Sequence, residues 1–289
     1  MINDFIFDGR ALSDFGYLLV FENSEDVIEV SGMQFNTVKA ALSDENRRVS
    51  HTYEQNYTST FLIMKSYCTN AEDDLWLSND DIAELTRWLA RKQYKWFRFV
   101  DDDEDDDEIW YRAQIQVRKE FAGDKVLGLQ LTVNTNAPYG FTREITKTNW
   151  GLDTSRVSPI ETWLYDHSIQ VVSDEEGYIY PDVIVYTESA GTLILRNVTD
   201  NNRTTIIKNC VAGETITLTG GDTQQITSTR THDFTNDFNY IFPRFMTKYG
   251  NSLNNLHVEC AQGESPLVIN HPVQVQYKYR GIRKVGLDQ

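Results

Sequence analysis

The chain has 289 residues, of which 40% are hydrophobic, 12% aromatic and 24% charged, and its formal net charge at pH 7 is −16. This length suits one large domain or two medium ones, and the aromatic content argues against disorder, because disordered chains are poor in aromatic residues. The acidic balance argues against binding to nucleic acids or anionic membranes, which requires Lys and Arg to neutralise phosphates.

The chain opens with a stretch, Phe5 to Tyr17, that predicts a β-hairpin. Asp8 and Gly9 form a turn dipeptide, because Gly tolerates positive φ and the Asp side chain can bond its own backbone. An apolar strand is expected from residue 16 to residue 21. Further on, residues 48–68 are rich in Thr, Tyr and Val, which favours strands over helix.

Residues 78–93 are predicted to form a helix. Ser78 can cap its N-terminus, and two acidic residues follow in the first turn, where the helix dipole favours them. The apolar residues at helical spacing are Ile82, Leu85, Trp88 and Leu89. Such a stripe usually packs on the protein's own core, so we favour core packing over the alternative, a groove for a partner.

Two β-like segments, residues 96–100 and 109–117, flank an acidic run at 101–108. They predict a hairpin with a solvated tip, because so many carboxylates cannot be buried. A calcium loop of the EF-hand type is disfavoured. In the register that starts at Asp101, the glycine position holds Asp106 and the bidentate Glu position holds Arg112.

Residues 126–135 alternate as a strand and end at the breaker 136–140, where the first domain is expected to end. The second half consists of short segments rich in Thr, Val and Ile, separated by Gly, Asn and Asp turns. Short strands separated by such turns predict a β-sandwich. One of the expected strands runs from Tyr178 to Tyr186.

These motifs, in this order, resemble the distal tail (Dit) family of long-tailed phages. The opening stretch matches an F-x-F-x-G…S-x-D-F-G signature, and Pro138-Tyr139 matches a P-Y motif at the exit of the ring-forming domain. The second half resembles the galectin-like C-terminal domain of the family by pattern. The matching stretches there are Tyr180-Pro181-Asp182-Val183 and Gly220-Gly221-Asp222.

The resemblance implies a mainly β protein. Residues 1–140 would form a β-sandwich-like ring domain with one α-helix and a β-hairpin, and residues 141–289 a galectin-like or CBM-like β-sandwich. The protein would be the structural hub of a virion tail tip, a homo-hexameric ring that joins the tail tube to the adhesion apparatus and lets DNA pass. Implied partners are the tail tube protein, the tail-associated hub protein, the tape measure protein and receptor-binding or side-fibre proteins, without specific nucleic-acid binding or membrane contact.

No motif in the sequence predicts catalysis, a cofactor or a metal site. The five histidines are scattered, and acidic pairs such as Asp233 and Asp237 are expected by chance in a chain with 43 Asp and Glu residues. Three separated cysteines, Cys68, Cys210 and Cys260, predict free, buried thiols. We also expect no secretory leader and no membrane span, since no apolar run approaches the roughly 18 residues required.

The alternative function is recognition of cell-wall glycans by the second half. A galectin-like sandwich can stack sugars on aromatic side chains amid polar groups, and the residues suited to this are Trp163, Tyr178, Tyr180 and Arg244. A role of these aromatics in the core is the favoured interpretation, since a fold does not imply lectin activity. A third hypothesis, a cell-wall hydrolase, ranks last because no motif supports it.

Overall fold

The computed structural model describes residues 4–20, 33–39, 46–53, 57–65, 75–100, 108–149, 166–221, 223–261 and 273–284. They belong to two compact units, Met1–Arg143 together with Arg283–Gln289, and Glu144–Ile282. Within these described ranges no helix combines the length and the apolar character needed to cross a membrane. The structure is mostly β, which confirms the predicted fold class.

Among its described residues, the first unit contains ten strands from β1 to β10 and one α-helix. They are β1 (Asp4–Phe7), β2 (Arg10–Ala11), β3 (Tyr17–Val20), β4 (Met33–Lys39), β5 (Asn46–Tyr53), β6 (Thr58–Lys65), α1 (Asn79–Leu89), β7 (Lys95–Val100), β8 (Ile109–Ala122), β9 (Lys125–Thr135) and β10 (Gly140–Thr142). The main sheet has the order β2-β1-β7-β8-β9-β6-β3, β10 pairs with β8, and β4 and β5 pair with each other.

The β7–β8 pairing confirms the predicted hairpin, with Phe97 opposite Tyr111. The first seven residues of the acidic run, 101–107, lie outside the described residues. Strand β9 confirms the predicted alternation, since Leu129, Leu131 and Val133 are buried. These side chains join the core of the first unit, because successive strand residues point to opposite faces of the sheet.

Helix α1 begins with a capping box. The Ser78 hydroxyl accepts from the Asp81 N–H at 3.1 Å, and the Asp81 carboxylate accepts from the Ser78 N–H at 2.8 Å. The helix ends at Leu89, four residues before the predicted end. The difference arises because Ala90 leaves the helical conformation and the chain enters β7 at Lys95. Burial of Leu85, Trp88 and Leu89 confirms that the apolar stripe belongs to the core.

The second unit contains the remaining strands and a short helix. They are β11 (Ile145–Asn149), β12 (Asp166–Ser173), β13 (Gly177–Ile179), β14 (Asp182–Thr187), β15 (Gly191–Asn197), β16 (Arg203–Cys210), β17 (Glu214–Thr219), β18 (Gln225–Ser228), α2 (Phe234–Asp237), β19 (Phe245–Thr247), β20 (Gly250–Ala261) and β21 (Val273–Tyr279). A last strand, β22 (Ile282–Arg283), belongs to the main sheet of the first unit.

Two sheets, ordered β11-β21-β14-β17-β18 and β12-β20-β15-β16, form the second unit, and β13 pairs with β19 beside them. Both sheets contribute to one buried cluster, Val185 and Leu218 from the first and Leu193 and Val258 from the second. A shared core between two antiparallel sheets is the packing of a β-sandwich.

The prediction of one strand from Tyr178 to Tyr186 was wrong. The segment forms two strands, β13 and β14, that belong to different sheets. The break lies at Tyr180 and Pro181, because Pro has no N–H to donate to a ladder of hydrogen bonds. Helix α2 was not predicted.

Candidate functional site

The opening motif of the chain anchors helix α1. Phe5 and Phe7 of β1 are fully buried, and the Phe5 ring stacks on Trp88 with 5.7 Å between centroids. Phe15 also stacks on Trp88, at 4.5 Å. The aromatic positions of the motif therefore hold the helix against the sheet.

The polar positions of the same motif shape its turns. Asp8 and Gly9 both have positive φ, 51° and 79°, as the predicted turn requires. The Ser13 hydroxyl donates to Asp4 at 2.7 Å, and the Asp14 carboxylate accepts from the Ala11 N–H at 3.0 Å. These contacts are local, so the motif serves to build the first unit.

A hairpin arm, defined here as residues 119–125, extends beyond the neighbouring strands. Strand β7 pairs with β8 only at residues 111–113, and β6 pairs with β9 only from Gly128 onwards. Residues 119–125 are all exposed, and Phe121 near the tip is 56% exposed. An exposed aromatic on a projecting hairpin is suited to contact with another protein.

Strand β3 lies at one end of the main sheet in the described part of the chain. Two of its apolar side chains, Leu18 and Val20, are exposed to 42% and 41%. An edge strand presents unpaired backbone groups, and with apolar side chains it is a template for pairing with another chain. Strand β3 and the hairpin arm are two different surfaces of the first unit.

The second unit brings together three of the four residues predicted for glycan contact. The guanidinium carbon of Arg244 lies 3.5 Å from the centroid of the Tyr178 ring, and Tyr180 contributes to the raised pKa of Arg244. Tyr178 is exposed to 45%. The fourth residue, Trp163, lies outside the described residues.

Asp200 fixes Arg244 in place. The guanidinium donates two hydrogen bonds to the Asp200 carboxylate, from Nε at 2.7 Å and from a terminal nitrogen at 3.2 Å. The hydrogen bond to Asp200 raises the pKa of Arg244 further above its ordinary value, although partial burial opposes the shift. The ion pair with Asp200 therefore gives Arg244 a structural role. Its guanidinium also covers one face of the Tyr178 ring.

A small open recess adjoins this pair. Its lining includes Arg196, Arg203, Pro243, Arg244 and Tyr277. Sequence analysis missed the role of Asp200. No local signal indicates this role, since its partner Arg244 is 44 residues away along the chain.

Sequence analysis also missed a buried polar cluster around His232. The Nε2 atom of His232 lies 2.6 Å from the Glu214 carboxylate, and Nδ1 lies 3.2 Å from that of Asp237. The carboxylate of Asp237 is thus part of a specific contact with His232. Cys210 and Cys260 are free and buried, as predicted, while Cys68 lies outside the described residues.

Comparisons with known proteins find two matching family models and a similar solved structure. The models are described as a phage tail protein N-terminal domain, over residues 1–137, and a phage tail C-terminal domain, over residues 162–279. The structure is that of SPP1 Dit, described as a paradigm of the hub adsorption apparatus in phages that infect Gram-positive bacteria.

The alignment with SPP1 Dit covers 97% of this chain and 99% of that one, with a TM-score of 0.56 and 12% sequence identity. At this identity the likeness shows a shared fold. No curated protein matches the chain significantly.

Proposed function

Since the chain belongs to the phage tail protein family and has the fold of a distal tail (Dit) protein, we propose that it is the hub of a tail tip whose first unit closes into a ring. The observation that carries this proposal is the order of the two tail domains on a fold that aligns with nearly the whole length of SPP1 Dit. The protein would have a structural role, as tail proteins do, and would be located in the tail of the virion.

Ring closure requires a heterologous interface, in which one surface of a subunit contacts a different surface of the next. The first unit offers two such surfaces, the hairpin arm with Phe121 and the β3 edge with Leu18 and Val20. We propose that the arm of one subunit packs on the next subunit near the β3 edge. Six copies would close the ring, as the family resemblance implies.

The ring would continue the bore of the tail tube and let DNA pass. A net charge of −16 is compatible with this role, because an acidic surface repels phosphates. The tail tube protein, the tail-associated hub protein and the tape measure protein would contact the ring, and the second unit would carry receptor-binding or side-fibre proteins.

The test is the mass of the full chain in solution, measured by size exclusion with light scattering, together with negative-stain images. We expect a ring of about six subunits for the wild type, and Phe121→Asp is expected to shift it toward the monomer. Tyr186→Asp, which places the same charge at an exposed aromatic of the second unit, should leave the ring intact. A wild type that stays monomeric at high concentration contradicts the ring.

A second candidate function is binding of cell-wall glycans at Tyr178. The observation that favours it is the clustering of Tyr178, Tyr180 and Arg244, with the Tyr178 ring exposed and Arg244 also lining the recess. Titration with cell-wall polysaccharide should give saturable binding that Tyr178→Ala abolishes and Tyr186→Ala preserves. Equal binding by both variants contradicts this site.

A further inference from the structure

The second unit gathers nitrogen, oxygen and sulfur donors at one buried point. The donor atoms of Cys210, Glu214 and His232 all lie within 4.8 Å of one another. Cys210 and Glu214 are buried, and the side chain of His232 is only 2% exposed. Such a mixed set differs from a group of surface carboxylates, because a thiol and an imidazole are soft or borderline ligands.

A second thiol, that of Cys260, is also fully buried. It donates to the Ser189 carbonyl oxygen at 3.4 Å, and the Cys210 thiol donates to that of Ile207 at 3.3 Å. Cys260 does not belong to the set of mutually close donors, which therefore offers three of the four ligands of a tetrahedral zinc ion.

The surroundings orient the imidazole as a ligand. Asp237 lies 3.2 Å from Nδ1 of His232 and is itself held by the Asn209 side chain at 2.7 Å. This leaves Nε2 directed at Glu214. A carboxylate on the far nitrogen of a histidine is the usual outer shell of a zinc ligand, because it sets the tautomer and the ring orientation.

The carboxylate of Glu214 is also held in place. One oxygen accepts from the Val211 N–H at 2.9 Å, and the other accepts from the Ser228 hydroxyl. A metal ion would enter between this second oxygen and Nε2 of His232, where the two groups now meet directly at 2.6 Å.

We propose that Cys210, Glu214 and His232 bind one zinc ion. The donors come from β16, β17 and the segment after β18, so the ion would tie the two sheets of the second unit together. Three protein ligands leave the fourth position of a tetrahedral zinc ion for a water molecule. Thiolates disfavour magnesium and calcium, which prefer oxygen ligands.

Elemental analysis and metal titration of the reduced full chain test the proposal. We expect about one zinc per chain, or uptake of one zinc after treatment with a strong chelator, and a rise in thermal stability on uptake. Cobalt in place of zinc should give a thiolate-to-metal charge-transfer band. A wild type that binds neither metal overturns the site and leaves His232 as a hydrogen-bonded link between two carboxylates.

Variants identify the ligands. Cys210→Ser and His232→Gln should each lower zinc affinity strongly, whereas Asp237→Asn should weaken it about tenfold and keep the cobalt band. Cys68→Ser removes a thiol that is not a proposed ligand, and His257→Gln removes another imidazole, so both serve as controls and should retain the metal. Zinc binding that is unchanged in Cys210→Ser and His232→Gln overturns the assignment, and the wild-type titration decides the matter even where a variant fails to fold.

Discussion

The indole N–H of Trp88 donates a hydrogen bond of 2.9 Å to the carbonyl oxygen of Phe7. This bond joins helix α1 to the first strand across 81 residues of chain. It lies in a buried aromatic cluster in which Trp88 also contacts Phe5 and Phe15. The position of the helix in the first unit therefore depends on one side chain that is both apolar and a hydrogen-bond donor.

Trp88→Phe is expected to lower the free energy of unfolding by about 1–3 kcal/mol, because the Phe7 carbonyl loses a buried donor. Urea denaturation followed by far-UV circular dichroism measures the change. Trp110→Phe is the matched control, since the Trp110 N–H reaches Glu108 at 3.4 Å in an exposed contact and its loss should cost less than about 1 kcal/mol. Equal losses in the two variants would show that the buried bond adds no stability.

The capping box of helix α1 predicts a pH-dependent contribution to stability. Although partial burial acts in the opposite direction, hydrogen bonds from Lys65 and Ser78 lower the pKa of Asp81. A carboxyl whose pKa is lowered on folding stabilises the protein above its unfolded pKa, near 3.9, and this contribution is lost as the pH falls through the folded value.

Asp81→Ala should therefore cost about 1 kcal/mol at pH 7, and the cost should shrink as the pH falls below about 4. Urea denaturation of both proteins at pH 7 and pH 3 checks this. Asp80→Ala, in the same turn, loses only an interaction with the helix dipole of about 0.3 kcal/mol. A cost at Asp81 that does not depend on pH contradicts the prediction.

Two adjacent glycines in the second unit differ in what a methyl group would meet. A Cβ at Gly220 would overlap the backbone carbonyl groups of Tyr180 and Pro181, whereas a Cβ at Gly221 would meet nothing within 4 Å. We expect Gly220→Ala to lower stability by about 3 kcal/mol or more, because backbone atoms must move.

Gly221→Ala should cost about 1 kcal/mol, which reflects only its φ of +65°. Thermal denaturation of the two variants measures the difference. Similar melting temperatures would mean that the Tyr180 segment moves easily, contrary to this close contact.

Substitutions of Arg244 and Tyr178 distinguish a contribution to folding stability from a contribution to glycan binding. Arg244→Gln leaves the carboxylate of Asp200 buried without its charged partner, so we expect a loss of about 1.5–3 kcal/mol. Tyr178→Ala removes an exposed ring and should cost less than about 1 kcal/mol. Urea denaturation checks both, and adding Asp200→Asn to Arg244→Gln should recover part of the loss.

Local features of the sequence predicted local structure well. Ser78 and the acidic first turn indicated the start of helix α1, and the Asp8-Gly9 turn followed from backbone preferences alone. Alternation identified β9 and its buried face. The end of the helix and the break at Pro181 were predicted less well. The first depends on where the chain turns toward β7, and the second on which sheet each strand joins.

By itself, then, the sequence determined the β-rich fold class, the capped helix, the turns and the resemblance to distal tail proteins. These follow from side-chain periodicity and turn chemistry, which act over a few residues. Only the tertiary structure decided that Asp200 holds Arg244, that Trp88 bonds Phe7, and that Cys210, Glu214 and His232 meet. Such contacts join residues that are far apart in the chain. The packing of the sheets brings these residues together, and their spacing in the sequence follows no motif.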